Sequence, residues 1–485
     1  MRKTCKRLSA LLLVLLLTVL PFAAQAEEVN YVVKDSKEIA IPVAYVDRDI
    51  ISTFGDNDGF NAPLGMCVDE QDNIYVVDTG HNRVVQLTMS GELVRFITVD
   101  EAHTPLNAPQ GICVTPNGHI YIADTGNRRI VHLNAKGEYV EEFGKPDSPL
   151  FDDTVFDFAP TSVQIDSLNY INILNGKDTH GIVRLTPAGE FVGYLGTNKV
   201  TTSFWMSLLR FVLTEEQLAM LGQETPQYYL NFTMDDEGYL FTTTAYAASE
   251  QIKRLNTVGT NIYKSGVYAE IVSYTSLGGV NMNPVYGILA DVAVDKNGFV
   301  SVVDSTKRYV YQYDANGNMI CRFGGRGDVR GSFEYPVAIS VNSKGELLVL
   351  DRDRNNVQIF ESTVFADQIH ASLIAYDEGR YDDAETYIDG ILARNATYSL
   401  AFILKGKILY KQGAWKESME LFRKAKDYTL YSEAFAEYRN VIYREYFVPI
   451  VLVILVLAAA LLLLVFRVSR CAIKYIYEEY GHGND

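Results

Sequence analysis

The chain has 485 residues, 48% of them hydrophobic, and carries 60 acidic against 43 basic side chains, a net charge of −17. That length allows more than one domain, each large enough to bury a core without disulfide staples. So strong an anionic surplus repels phosphate backbones and excludes nucleic acid as the expected partner.

Arg2, Lys3, Lys6 and Arg7 precede an apolar run from Leu8 to Leu20, and Ala24-Gln25-Ala26 follows it. A charged start, a short apolar stretch and a small-x-small site form the pattern of a secretory signal peptide, here residues 1–26. The apolar run falls short of the ~20 residues that a spanning helix needs. Removing this segment takes away four more bases.

A repeat comes next. Gly65-Met66-Cys67-Val68, Ile74-Tyr75-Val76-Val77-Asp78-Thr79-Gly80, Arg83-Val84-Val85-Gln86-Leu87 and Gly91-Glu92-Leu93-Val94 recur 46 residues on. The second copy reads Gly111-Ile112-Cys113-Val114, Ile120-Tyr121-Ile122-Ala123-Asp124-Thr125-Gly126, Arg129-Ile130-Val131-His132-Leu133 and Gly137-Glu138-Tyr139-Val140. Four β-rich runs between Gly, Asn and Asp turns, at a period near 45, describe a propeller blade. Clear copies return from Ala290 to Gly324 and from Pro336 to Phe360, and worn ones around Arg184 to Gly196 and Leu230 to Phe241.

The last blade ends after its third strand at Phe360, where helical spacing begins. Its missing outer strand is supplied by Asp49-Ile50-Ile51-Ser52-Thr53-Phe54-Gly55, whose ending matches Glu141-Glu142-Phe143-Gly144. Pairing first strand with last blade seals the ring and removes its edges, which fixes the count at six blades. The Gly-x-x-Val-Asp, Ile-Tyr-Val-Ala-Asp-Thr-Gly-Asn-x-Arg-Ile and Phe-Gly elements resemble the NHL repeat family. The resemblance implies a six-bladed β-propeller over residues 44–361 and leaves function open, since such rings serve as binding modules and as lyases or lactonases. A helical insertion is expected at 203–221, where Thr214-Glu215-Glu216-Gln217 matches a capping box.

From 364 to 446 the spacing is helical. Ser372, Tyr376, Gly379, Tyr381, Ala384, Ile388 and Ile391 recur 34 residues later as Gly406, Tyr410, Gly413, Trp415, Ser418, Phe422 and Ala425. This pattern resembles the tetratricopeptide repeat, a stack of helical hairpins that binds partner proteins. Residues 447–466 are apolar apart from Pro449 and long enough to cross a bilayer. Arg467, Arg470 and Lys474 follow, which places the tail, 467–485, in the cytoplasm and the amino-terminal bulk outside the cell membrane. The fold class expected is mainly β: a six-bladed propeller, then a small all-α module, then one transmembrane helix.

Chemistry-bearing residues are sparse. Cys67, Cys113 and Cys321 lie in separate strands and read as buried free thiols. His81, His103, His119, His132 and His180 show no His-x-x-x-His spacing and form no obvious trio, and there is no nucleophile elbow or phosphate loop. Asp78, Asp124, Asp304 and Asp351 end four second strands and so gather near one rim of the ring. Carboxylates there suit Ca²⁺ and make these four the candidate ligand-binding residues, although turn formation is the stronger reading of the same sequences. Asp351-x-Asp353-x-Asn355 echoes a calcium loop without its Gly and distant Glu.

The expected function is a membrane-anchored extracytoplasmic binding or scaffold protein, with no catalytic residue assigned. Its partner is an envelope or membrane protein, such as a transporter component, or a surface glycan. The alternative is a Ca²⁺- or metal-dependent lactonase or lyase on the propeller.

Overall fold

The computed structural model describes residues 30–34, 37–151, 157–197, 227–245, 247–277 and 280–480; the expected signal peptide and the insertion at 203–221 lie outside them. Alternation of β-branched and polar residues, broken by glycines with positive φ at the turns, folds each repeat into an antiparallel sheet. Blade 1 orders Gly65–Val68, Ile74–Asp78, Arg83–Leu87 and Leu93–Ile97 from the ring's centre outward. Blade 2 repeats this with Gly111–Val114, Ile120–Asp124, Arg129–Leu133 and Tyr139–Phe143.

Blades 3 and 5 also have four strands, beginning at Pro160–Ile165 and Leu289–Val294. Blade 4 has three among the described residues, Tyr229–Met234, Leu240–Thr244 and Ile252–Leu255. Every second strand is buried along most or all of its length because neighbouring blades cover both of its faces. Its apolar residues therefore run without a polar face, as in Ile74-Tyr75-Val76-Val77.

Blade 6 takes its outer strand from the amino-terminal side as expected, but that strand is Tyr45–Ile51 rather than 49–55, because Thr53–Phe54 turns off to pair with Asp58–Gly59. Pro336–Val341, Leu347–Asp351 and Asn356–Ser362 take Tyr45–Ile51 as their fourth strand, in a register that sets Ile51 opposite Val357 and Tyr45 opposite Ser362. Ile51 and Phe54 then join Ile74, Val85, Leu87, Leu350, Val357 and Ile359 in the core between blades 6 and 1.

Two hairpins fall outside the repeat. Asn30–Lys34 and Lys37–Ile41 extend blade 5 into six strands by setting Tyr31 opposite Arg322. Ile271–Leu277 and Val280–Tyr286 form a separate two-stranded sheet between blades 4 and 5. The arginine anchors both. Arg322 is 2% exposed, pairs with Glu38 at 2.9 Å and Glu270 at 2.6 Å, and stacks over Tyr309.

Five helices follow: α1 Val364–Asp377, α2 Tyr381–Arg394, α3 Ser399–Lys411, α4 Trp415–Lys424 and α5 Tyr428–Tyr480. The chain divides into two compact units at Ile374/Ala375, so most of α1 belongs with the propeller unit rather than with the helices after it. The period of 34 has a local cause. Gly379 and Gly413 end α1 and α3 at φ +77° and +80°, a conformation glycine reaches without strain. Gly406 lies against the Phe422 ring, and Ser418 Oγ donates to the Gly406 carbonyl at 2.8 Å, which holds α3 to α4. The final helix is continuous over 53 residues, with Pro449 inside it. Its most apolar stretch has a mean hydropathy of 3.4 and no burial, so α5 is long and apolar enough to cross a membrane.

Because the closing strand belongs to the same core as blade 1, Ile51→Ala is expected to lower the stability of the whole propeller by about 2–4 kcal/mol. Urea unfolding should show one shifted transition. Loss of a single blade ahead of the rest would contradict a ring closed at this seam.

Candidate functional site

The four aspartates expected at the rim do end equivalent strands, and all four are 0% exposed. Asp78 Oδ1 accepts from Asn61 N at 2.7 Å, and its Oδ2 faces His81 Nδ1 and Arg83 Nε, both at 2.8 Å. Asp124 repeats the arrangement with Asn107 N, Asn127 Nδ2 and Arg129 Nε. Asp351 accepts from the backbone of Glu334, Tyr335, Asp353 and Arg354. Each carboxylate thus ties the end of its strand to the loop that enters the blade, and its lone pairs are spent inside the blade. In blade 3 Asn175 Oδ1 does the same for Ala159 N at 2.6 Å, a role its place in the repeat could have revealed.

Asp304 departs from the set. Its Oδ1 caps Thr306 and Lys307, while Oδ2 has no hydrogen-bond partner among the described residues and lies against Gly287, where a Cβ would collide. Burial, which outweighs these bonds, raises its carboxyl to about 6. No group of three or more His, Cys, Asp or Glu side chains among the described residues is arranged to hold a metal, and Asp353 bonds Arg352 at 2.8 Å.

The innermost strands of all six blades enclose a cavity of about 230 Å³. Gly65 and Gly111 narrow it on one side, since a side chain at either would strike the next blade's backbone. Ser162, Asn231, Asp291 and Ala338 occupy the matching positions in the other blades, each paired to the corresponding residue of its second strand. Asp291 ties three blades together: Oδ1 accepts from Asn231 Nδ2 at 2.7 Å and Val292 N at 2.8 Å, and Oδ2 from Ile339 N at 2.8 Å. Burial pushes this carboxyl up to about 7 despite those donors. Cys67 and Cys113 also line the cavity, and the described cysteines are free thiols.

A second cavity, about 100 Å³, lies where α1 meets blades 5 and 6. There Gln312 Nε2 donates to Tyr45 Oη at 2.8 Å, and Gln312 Oε1 faces His370 Nε2 at 2.8 Å. The His370 ring stacks on Phe299, and burial holds its pKa down to about 4, so the imidazole is neutral. This network fastens helix to ring.

The NHL repeat profile matches residues 60–87, 106–133 and 333–360, which are parts of blades 1, 2 and 6. No curated protein matches the chain. Among solved structures, a streptogramin B lyase has 12% identity and a TM-score of 0.43 over 66% of this chain and 98% of its own. Virginiamycin B lyase from Staphylococcus aureus has 12% identity and a TM-score of 0.40, covering 70% and 89%. A gluconolactonase from Xanthomonas campestris has 12% and 0.43, covering 67% and 99%. The profile match shows that the chain contains NHL repeats, and its own strand order makes the six-bladed propeller.

Two predictions follow from the buried carboxylates. Asp124→Ala leaves Arg129 Nε and the Asn107 amide without their acceptor, although Arg129 keeps Glu142 and the Thr104 carbonyl, and should cost about 2–3 kcal/mol, whereas Asp124→Asn, which copies Asn175, should cost clearly less. Thermal melts of both variants give the comparison. For Asp291, a folded-state value above the unfolded one means that the protonated form is favoured on folding. Its contribution is complete below about pH 4 and lost as pH rises through 7. Asp291→Asn should flatten the stability profile between pH 4 and 8, read from urea midpoints at each pH.

Proposed function

We propose that the chain is a membrane-anchored binding protein, with its propeller on the extracytoplasmic side and an envelope or membrane protein, such as a transporter component, as its partner. The observation that carries this reading is the size of the ring's centre. A cavity of about 230 Å³ lies below the roughly 300–1,000 Å³ of pockets that enclose small molecules, and the groove of about 320 Å³ lined by Asp235, Arg254 and Lys296 reaches only the lower edge of that range, so the broad outer surfaces offer most of the contact area. Closed rings and helical hairpins suit that task, because a preformed surface loses little freedom on binding.

The anchor is assigned to residues 447–466 of α5, and the basic residues after them set the orientation. Apolar side chains on outer strands, among them Val94, Phe96, Val140 and Val192, remain exposed and offer contact area. Tyr387 on α2 is exposed as well.

The test is site-specific photo-crosslinking in intact cells from Val140 and from Tyr387. A discrete protein adduct, the same in repeated experiments, supports the reading. Turnover of lactones by the purified full-length protein, with no adduct from either position, would move it to the lactonase or lyase class. Leu457→Arg combined with Leu461→Arg is expected to release the chain from membranes into an alkaline wash, because each charge at mid-bilayer costs about 2.5–3.5 kcal/mol.

A further inference from the structure

The row of side chains across blade 2 differs in kind from the same row in its neighbours. Tyr121, His132 and Glu141 stand opposite one another on successive strands, and His119 sits one residue before the second strand. His132 Nδ1 meets Glu141 Oε1 at 3.0 Å, and His132 Nε2 meets His119 Nδ1 at 2.8 Å. The Tyr121 ring lies flat on His132, with centroids 4.2 Å apart and planes 8° from parallel. His132 is 6% exposed, whereas His119 is half-buried and the Glu141 side chain is 47% exposed.

The carboxylate fixes the tautomer. A proton on His132 Nδ1 serves Glu141 and leaves Nε2 with its lone pair directed at His119. A carboxylate behind an imidazole in this way is the arrangement that orients and strengthens metal-binding histidines. In blade 1 the equivalent positions hold Asn73, Gln86 and Arg95, with Arg95 Nε donating to Gln86 Oε1 at 2.7 Å. In blade 5 they hold Phe299, Gln312 and Cys321. A plain cross-strand bond therefore suffices for a blade, and the paired imidazoles of blade 2 go beyond that need.

We propose that His119 Nδ1 and His132 Nε2 form a binding site for one divalent transition-metal ion of the Zn²⁺, Ni²⁺ or Cu²⁺ class, with Glu141 positioning His132. Imidazole nitrogen suits these ions, and the affinity order favours Cu²⁺. On binding, His119 moves its proton from Nδ1 to Nε2, so both facing nitrogens present lone pairs and no proton is lost from the pair. Metal–nitrogen bonds of about 2.0–2.1 Å set the nitrogens about 3.3 Å apart at the tetrahedral angle of Zn²⁺ and about 2.9 Å apart at the square angle of Cu²⁺. The pair must open by about half an ångström for Zn²⁺ and hardly at all for Cu²⁺, and the half-buried His119 ring, carried on a turn, is the one able to move. Water fills the remaining positions from the exposed side.

The experiment titrates Cu²⁺, and separately Zn²⁺, into untagged full-length protein in detergent. Calorimetry measures binding, and electron paramagnetic resonance of the copper form counts the nitrogens. One equivalent bound, with hyperfine structure from two nitrogens, is the expected result. His119→Asn with His132→Gln copies blade 1 and should fold normally, confirmed by its melting temperature, yet bind at least 100-fold more weakly. Glu141→Gln should weaken binding about 10-fold. A variant lacking the other candidate ligands, His81→Gln with His103→Gln, His180→Gln and His482→Gln, should bind like the parent. Retained binding in the blade 1 copy, loss in the four-histidine variant, or no saturable binding by the parent overturns the assignment.

Discussion

Everything in the propeller depends on the seam where Tyr45–Ile51 pairs with Asn356–Ser362. A four-stranded blade has two apolar faces and can bury both only between two neighbours, so an open row of six would leave one face bare at each end. Drawing the outer strand of the last blade from the start of the domain makes the first and last neighbours inseparable. The ends of a segment some three hundred residues long then contribute to one core with blade 1. Chain entropy opposes such a closure only logarithmically with length, while the apolar area gained grows with every side chain at the seam.

The recurring acids are best understood through the same geometry. Between blades the chain leaves the outer strand of one sheet and enters the inner strand of the next, where backbone amides have no sheet partner. Asp78, Asp124 and Asp351 satisfy those amides 17 residues upstream, and Asn175 does so 16 upstream. Thr79 and Thr125 add inter-blade bonds to the carbonyls of Pro109 and Pro160. Motif residues that catch the eye as a ring of carboxylates are thus largely consumed in fixing the chain where it enters each blade. The amide 17 residues upstream of Asp304, Gly287 N, donates instead to the Glu270 carbonyl at 2.8 Å, which leaves Asp304 Oδ2 without a hydrogen-bond partner among the described residues.

The ring was legible because its signals are local and repeated: Gly turns, Asp at strand ends, and a Phe-Gly echo at residues 54 and 55 that pointed to the seam, although it lies just past the strand that pairs there, where Ile51 takes the place of Phe143. The two hairpins outside the repeat were not, because their strands pair with no equivalent element in other blades. Asp291 was read only as part of a strand. Its importance comes from the convergence of blades 4, 5 and 6 on one point, which no single repeat encodes. The histidine pair escaped a search for helical metal spacing, since His119 and His132 meet between the second and third strands of the blade, at the end away from the turn that joins them. Their separation of 13 is nonetheless what the pairing of Tyr121 with His132 requires.

Burial decides where one blade can differ from another. Second strands are fixed as apolar by their two neighbours, and strand ends are fixed by the entering amides, which leaves the row running from Cys67 or Cys113 toward the outer strand as the place with freedom to vary. Blade 1 spends that row on a Gln86–Arg95 bond, and Arg95 continues to the Ala135 carbonyl of blade 2. Blade 5 spends it on Gln312, whose amide reaches Tyr45 and His370 and so joins the seam strand, the ring and α1. Blade 2 places an oriented imidazole pair there. One scaffold position thus serves as a brace, a helix dock and a nitrogen-rich site, because the strands around it already supply the stability that the row need not.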